Sequence, residues 1–111
     1  MAVTAINITI EQGADFSSSF VIKNPDESNA TLTNYTVLST LKKHSGATTG
    51  IGFSASLNSQ TSTVTIGLGR TDTSSLVPGR HYYDIFIVSP SGTRTKVIEG
   101  NAMINGSATL P

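Results

Sequence analysis

Apolar and polar residues alternate along most of this chain, and alternation with a period of two is typical of strands half-buried in a sheet. Thr, Val, Ile and Phe fill much of the alternating runs, and these residues suit a pleated sheet. Turn residues such as Gln12-Gly13 and Ser89-Pro90 separate the runs. The pattern predicts seven short strands, at residues 6–10, 16–23, 35–41, 51–57, 64–68, 81–88 and 94–104.

Seven short strands with turns between them favour an all-β fold, and we expect an immunoglobulin-like two-layer antiparallel β-sandwich. One segment departs from this pattern: residues 71–76 predict a single short helical turn, which Pro78-Gly79 would end. The chain has 111 residues, the usual size of one domain, and shows no linker or internal repeat. We therefore expect residues 1–111 to form a single β-sandwich domain.

The alternation also predicts the core, because a strand turns only one of its two parities toward a two-layer core. Choosing the more apolar parity of each strand gives Ile6, Ile8, Phe16, Phe20, Ile22, Val37, Leu41, Val64, Ile66, Tyr83, Ile85 and Ile98.

In the last two predicted strands, the pairing set by the connecting loop conflicts with the positions of the apolar residues. The segment Ser89–Thr93 predicts a three-residue hairpin loop with Gly92 in the left-handed region. That loop would place Ile85 opposite Val97, yet Ile98 belongs to the more apolar face of the last strand. Either a β-bulge shifts the register or both faces of the hairpin are partly covered, and the sequence leaves both alternatives open.

The strand at residues 81–88 is apolar at both parities, which makes it a candidate for contact with another molecule. If Tyr83 and its odd-numbered neighbours pack inward, then Tyr82, Phe86 and Val88 face outward. Such an apolar stripe is larger than the surface of a monomer usually tolerates. The candidate interaction surface is therefore Tyr82, Phe86 and Val88.

Asp84 lies within the same apolar strand and is a candidate structural polar site. A carboxylate in such a position needs a partner, because burial of an unpaired charge is costly. Arg94 and Lys96, on the next strand, are its candidate partners.

Charge and composition exclude several kinds of partner. Seven Lys and Arg residues balance seven Asp and Glu residues, and 13% of the residues are charged. Nucleic acids and anionic membranes bind clustered basic charge, so we expect neither as a partner. No apolar run is long enough to span a membrane, and the first residues lack the basic region of a signal peptide.

The sequence offers little for catalysis. It has no cysteine, so a thiolate nucleophile and a cysteine-ligated metal are both excluded. His44 and His81 lack a second histidine or a carboxylate at metal-ligand spacing, and no Gly-x-Ser-x-Gly nucleophile motif occurs. We therefore expect no enzymatic activity, no catalytic residues, no cofactor and no metal.

Four short motifs occur in a fixed order along the chain: Gly13-x-x-Phe16, then Leu32-Thr33-Asn34-Tyr35-Thr36-Val37, then Thr73-x-x-Leu76-x-Pro78-Gly79-x-x-Tyr82-Tyr83-Asp84-Ile85, then Glu99-Gly100. This order resembles a family of small bacteriophage tail and baseplate domains. It is similar in particular to the N-terminal domain of upper-baseplate and tail-fibre-attachment proteins. Asn34 stands where that family usually has Gly, and Asn tolerates the same left-handed backbone.

The resemblance implies a phage virion structural protein of the tail or baseplate, or a decoration component, that acts by protein–protein assembly. It implies other virion proteins as partners, a homo-oligomer as one form of assembly, and location in the virion after synthesis in the host cytoplasm. A carbohydrate-binding or adhesin β-sandwich module is the alternative. Such modules usually carry a platform of exposed aromatic residues, whereas this chain has seven aromatics and no Trp.

Overall fold

The computed structural model describes residues 3–24, 28, 30–43, 46 and 50–109. In chain order, the elements are β1 (Thr4–Ala5), β2 (Ile8–Glu11), β3 (Phe16–Val21), β4 (Thr36–Lys42), β5 (Ile51–Gly52), β6 (Ser54–Asn58), β7 (Thr63–Leu68), α1 (Arg70–Ser74), β8 (Gly79–Val88) and β9 (Arg94–Asn105). The expected all-β fold with one short helix is confirmed, and the helix begins one residue before the predicted turn.

The strands form two sheets that pack as a sandwich. One sheet has the order β1-β9-β8-β4-β5, with β2 also paired to β9, and the other has the order β3-β7-β6. In the immunoglobulin fold, strands C, F and G form one sheet and strands B, E and D belong to the other. The order β4-β8-β9 and the order β3-β7-β6 match these two sets. Strand A differs, because β1 and β2 run parallel to β9 and do not join the sheet of β3.

The structure has two more strands than the sequence predicts: one predicted strand is divided, and β1 lies before the first predicted strand at residues 6–10. The run at residues 51–57 changes sheet at Phe53: β5 pairs with β4, and β6 pairs with β7. Phe53 itself is buried, and its backbone N–H donates to the Ser39 carbonyl over 3.0 Å. The predicted strand at 6–10 corresponds to β2, which begins two residues later, and β1 and β2 keep the same register against β9.

The core lies between the sheets and follows the predicted parity. Nine of the predicted core residues are buried: Ile8, Phe20, Ile22, Leu41, Val64, Ile66, Tyr83, Ile85 and Ile98. The other three, Ile6, Phe16 and Val37, are half-buried and pack against this cluster. Phe16 lines two surface grooves, which explains its partial exposure.

A β-bulge resolves the conflict in the last hairpin. Ile87 pairs with Thr95, but the register shifts after it, so that Ile85 pairs with Ile98. The pairing of Ile85 with Val97, expected from the loop alone, is therefore wrong. Val97 and Ile98 are both buried, since the extra residue of the bulge lets neighbours in sequence turn to the same side. Gly92 has φ 91°, as the predicted loop requires.

Candidate functional site

The first three motifs contain residues that fix turns. Gly13 and Asn34 have φ values of 85° and 63°, which confirms that Asn34 takes the left-handed backbone. Thr73 is fully buried in α1, and its hydroxyl donates to the Ala14 carbonyl over 2.8 Å. The same oxygen accepts the Gly13 backbone N–H over 3.1 Å. Gly13 and Thr73, which lie in separate motifs, thus meet in one contact that joins α1 to the turn before β3.

Tyr83 and Gly100 fix the segment between β1 and β2. The Tyr83 hydroxyl donates to the Ile6 carbonyl over 2.7 Å, and its ring packs edge-on against Phe53. Burial raises the pKa of Tyr83 to about 12, so the phenol stays protonated as a donor at neutral pH. A Cβ at Gly100 would collide with the same carbonyl of Ile6. These two motif residues therefore have a structural role.

The candidate interaction residues lie on the outer face of the larger sheet. Tyr82, Phe86 and Val88 alternate along β8 with buried residues, so they point away from the core, and each is half-buried. Leu38 pairs with Phe86 across β4 and β8 and is 45% exposed. The apolar surface predicted for β8 alone thus extends onto the neighbouring strand.

A shallow groove of about 270 Å³ runs over this face, and we call it the outer groove. Its lining comprises Leu38, Ser39, Thr40, Lys42, Tyr82, Asp84, Phe86, Arg94 and Lys96. These residues come from β4, β8 and β9, and they include three cations and one carboxylate. Val88 does not line the outer groove and lies beyond Phe86 on the same face of β8.

Lys96 is the centre of a charged cluster that lies partly in the outer groove and extends to Glu99 beside it. Its Nζ lies 3.9 Å from Asp84 Oδ2 and 3.3 Å from Glu99 Oε1. The Tyr82 hydroxyl donates to the same Glu99 oxygen over 2.8 Å. Of the two candidate partners of Asp84, Lys96 forms an ion pair with it. Arg94 instead places its guanidinium 5.7 Å from the centre of the Phe86 ring.

The pKa values of this cluster are shifted. Burial raises the pKa of Tyr82, and its hydrogen bond to Glu99 adds to the rise. Burial also raises the pKa of Asp84, against the opposing charges of Lys96 and Lys42. Burial lowers the pKa of Lys96, but hydrogen bonds to Glu99 and Tyr82 outweigh this and leave it raised. Hydrogen bonds from Tyr82 and Lys96 lower the pKa of Glu99.

The structure also locates one of the two histidines. His81 is buried at the start of β8, and His44 lies outside the described residues. Among the described residues, no three His, Cys, Asp or Glu side chains are arranged to hold a metal ion. The same part of the chain has no helix with the length and apolar character needed to cross a membrane.

Sequence reasoning missed the contribution of β4 to this face. Leu38, Thr40 and Lys42 pair with Phe86, Asp84 and Tyr82, respectively. The alternation along β4 does predict that these three residues share one face. What was missing is the pairing of β4 with β8, because sequence pattern alone does not fix which strands are neighbours.

Comparison with known proteins adds little to this description. No family model matches the sequence, and no curated protein matches it. Among solved structures, an internalin-like protein from Listeria monocytogenes is similar to 93% of this chain and 28% of its own length. The sequence identity is 19% and the TM-score is 0.48. The chain thus spans less than a third of that protein, and a likeness of this degree does not bear on function.

Proposed function

We propose that the protein is a structural component of a phage virion, in the tail or baseplate or as a decoration subunit. Its proposed role is assembly with other virion proteins rather than catalysis. The order of the four sequence motifs supports the virion as the setting. The outer groove carries the proposal of assembly, because it combines half-buried aromatic side chains with unneutralised cations on one sheet face.

The apolar part of the outer groove suits contact with another protein. Phe86 and Tyr82 are aromatic, and aromatic residues are enriched in the cores of protein interfaces. Lys96 lies against both rings, and its Nζ is 5.7 Å and 5.9 Å from their respective centres. Aromatic side chains have only about two rotatable bonds, so they lose little conformational entropy on binding.

The charges indicate the chemistry of the partner. Lys42 and Arg94 form no ion pair within 4.0 Å among the described residues, whereas Asp84 is paired with Lys96. A binding surface with complementary potential would therefore present carboxylates around an apolar centre. We propose that the partner is a virion protein with an apolar side chain flanked by Asp or Glu.

The alternative, a carbohydrate-binding or adhesin module, has less support. Sugars bind to aromatic platforms through open ring faces. Lys96 and Arg94 both lie over the Phe86 ring, and Lys96 also lies over Tyr82. Binding of the isolated protein on a glycan array, lost on substitution of Phe86, would favour this alternative over assembly.

The experiment that tests the proposal is incorporation of Phe86→Ser into phage particles. Full burial of a Phe side chain from water stabilises by about 1.5–3 kcal/mol. Phe86 is already half-buried in the free protein, so we expect incorporation to fall by about threefold to tenfold. Phe86 lies outside the core between the sheets, so we expect the melting temperature of the isolated protein to change little.

Val77→Ser is the matched control, because Val77 is 62% exposed and lies outside the outer groove. It should leave incorporation unchanged. A sharp fall in the melting temperature of Phe86→Ser with unchanged incorporation would show that Phe86 stabilises the monomer and that the outer groove is not the interface.

A further inference from the structure

The smaller sheet has an edge that the immunoglobulin fold usually covers. In that fold, strand A pairs with strand B. Here the equivalent of strand B is β3, and within the described part of the chain β3 pairs with β7 alone. The first two strands lie on β9 instead, which leaves an open groove of about 410 Å³ between β2 and the first half of β3, at Phe16–Ser18.

The hydrogen-bonding groups of this edge can be assigned from the ladder. The Ile22 backbone N–H donates to the Ser62 carbonyl over 2.8 Å, in line with the register of β3 and β7. Hydrogen-bonded pairs alternate along an antiparallel ladder. The backbone groups of Ser17, Ser19 and Val21 therefore point away from β7, toward the open edge.

The edge lacks the features with which proteins usually prevent strand addition. Natural edge strands carry charges, proline or a bulge. The sequence of β3 is Phe-Ser-Ser-Ser-Phe-Val, with none of these, and its pairing with β7 is regular. Val21 at its end is 51% exposed. The free backbone groups of β3, its lack of charged residues and its regular conformation would all permit another strand to pair with it.

We propose that β3 pairs with β3 of a second copy of the chain, antiparallel about a two-fold axis at Ser19. This inference goes beyond the proposed function and does not depend on the outer groove. The pairing would join the two smaller sheets into one sheet of six strands. It is an isologous contact, in which each copy contributes the same segment.

We choose the register about Ser19 because it places side chains of complementary size and charge opposite each other. In this register Ser18 lies opposite Phe20 of the second copy, so a small side chain faces a large one on the core side. Asp15 lies opposite Lys23 of the second copy, so opposite charges meet at both ends of the pair. Both of these charged residues are exposed, and opposite charges across a strand pair stabilise it.

Sedimentation equilibrium of Ser19→Lys tests this pairing. Two lysines would then lie opposite each other at the axis, and like charges in that position destabilise a strand pair. We expect a concentration-dependent dimer of the wild-type protein, and a dissociation constant raised by about tenfold or more in Ser19→Lys.

Ser56→Lys is the matched control. Ser56 lies in the same cross-strand row as Ser19, on the other side of β7, and both serines are exposed. Its substitution should leave the dimer intact. A wild-type protein that remains monomeric into the millimolar range, or a dimer weakened equally by both substitutions, would overturn the proposal.

Two further variants test the register. The chain has no cysteine, so oxidised Ser19→Cys should form a disulfide-linked dimer, whereas Ser56→Cys should not. Lys23→Asp places two carboxylates opposite each other at each end and should weaken the dimer. Lys43→Asp, at another exposed lysine, should not. Equal cross-linking of the two cysteine variants, or equal effects of the two aspartates, would contradict the register.

Discussion

Gly100 shows how a single residue sets the path of the first strand. It pairs with Tyr83 in the ladder of β8 and β9, and the Ile6 carbonyl comes so close that a side chain there would collide with it. The Tyr83 hydroxyl donates to this same carbonyl. The close approach and the hydrogen bond together hold the segment between β1 and β2 against the sheet.

Gly100→Ala should therefore destabilise the fold. The added methyl group has no room unless the backbone of Ile6 moves, and such overpacking costs about 1–3 kcal/mol. Gly52→Ala is the matched control, because a Cβ at Gly52 would meet no atom within 4 Å. Thermal melting should show a clear loss for the first variant and little change for the second. Equal melting temperatures would mean that the approach of Ile6 to Gly100 is not a constraint.

Asp84 gives a prediction of pH dependence. Burial raises its pKa above the ordinary value of 3.8, so the folded protein binds this proton more tightly than the unfolded chain. The contribution of Asp84 to stability is therefore greatest below that ordinary value and is lost as the pH rises through the raised pKa. Charged Asp84 thus costs stability at neutral pH, even beside Lys96.

Asp84→Asn cannot ionise and should remove this cost. We expect its melting temperature, relative to that of the wild-type protein, to increase as the pH rises through the acidic range to neutrality. Thermal melts of both proteins across that range provide the measurement. A variant that is less stable than the wild-type protein at neutral pH, but not in acid, would show that the pair with Lys96 outweighs the burial of Asp84.

For the secondary-structure elements, the sequence predicts where strands lie, but not where one run of residues passes from one sheet to the other. Alternation identifies each strand because one face meets the core, as Phe20 and Ile66 show by their burial. It does not show that the run at 51–57 changes sheet at Phe53, because an alternating run looks the same whichever sheet it joins. Pairing partners are tertiary information, and this also explains why the contribution of β4 to the outer groove was missed.

The β-bulge of β9 is partly predictable from the sequence. The conflict of parities in the sequence indicates either a bulge or two covered faces, and the structure shows the bulge beside Ile85. Its effect is to bury Val97 and Ile98 together. It also places Glu99 opposite Asp84, whereas Lys96 lies opposite Phe86 in the register that the hairpin loop already sets.

For the whole molecule, the two proposed contacts lie on different sheets. The outer groove belongs to the sheet of β4, β8 and β9, and the open edge belongs to β3 in the other sheet. A protein with two separate contacts of this kind can bind a second copy and a different partner at the same time. Simultaneous contacts raise the overall strength of assembly without any change in either one.

If the outer groove is covered in the assembled particle, as we propose, thiol footprinting should detect it. Thr40→Cys places one thiol in the outer groove, and Thr63→Cys places one on the other sheet at a similarly half-buried strand position. Each variant would be labelled with a maleimide as free protein and within particles. We predict that Thr40→Cys reacts in the free protein and is protected in particles, while Thr63→Cys reacts in both. Equal labelling of Thr40→Cys in the two states would show that the outer groove is not an interface in the particle.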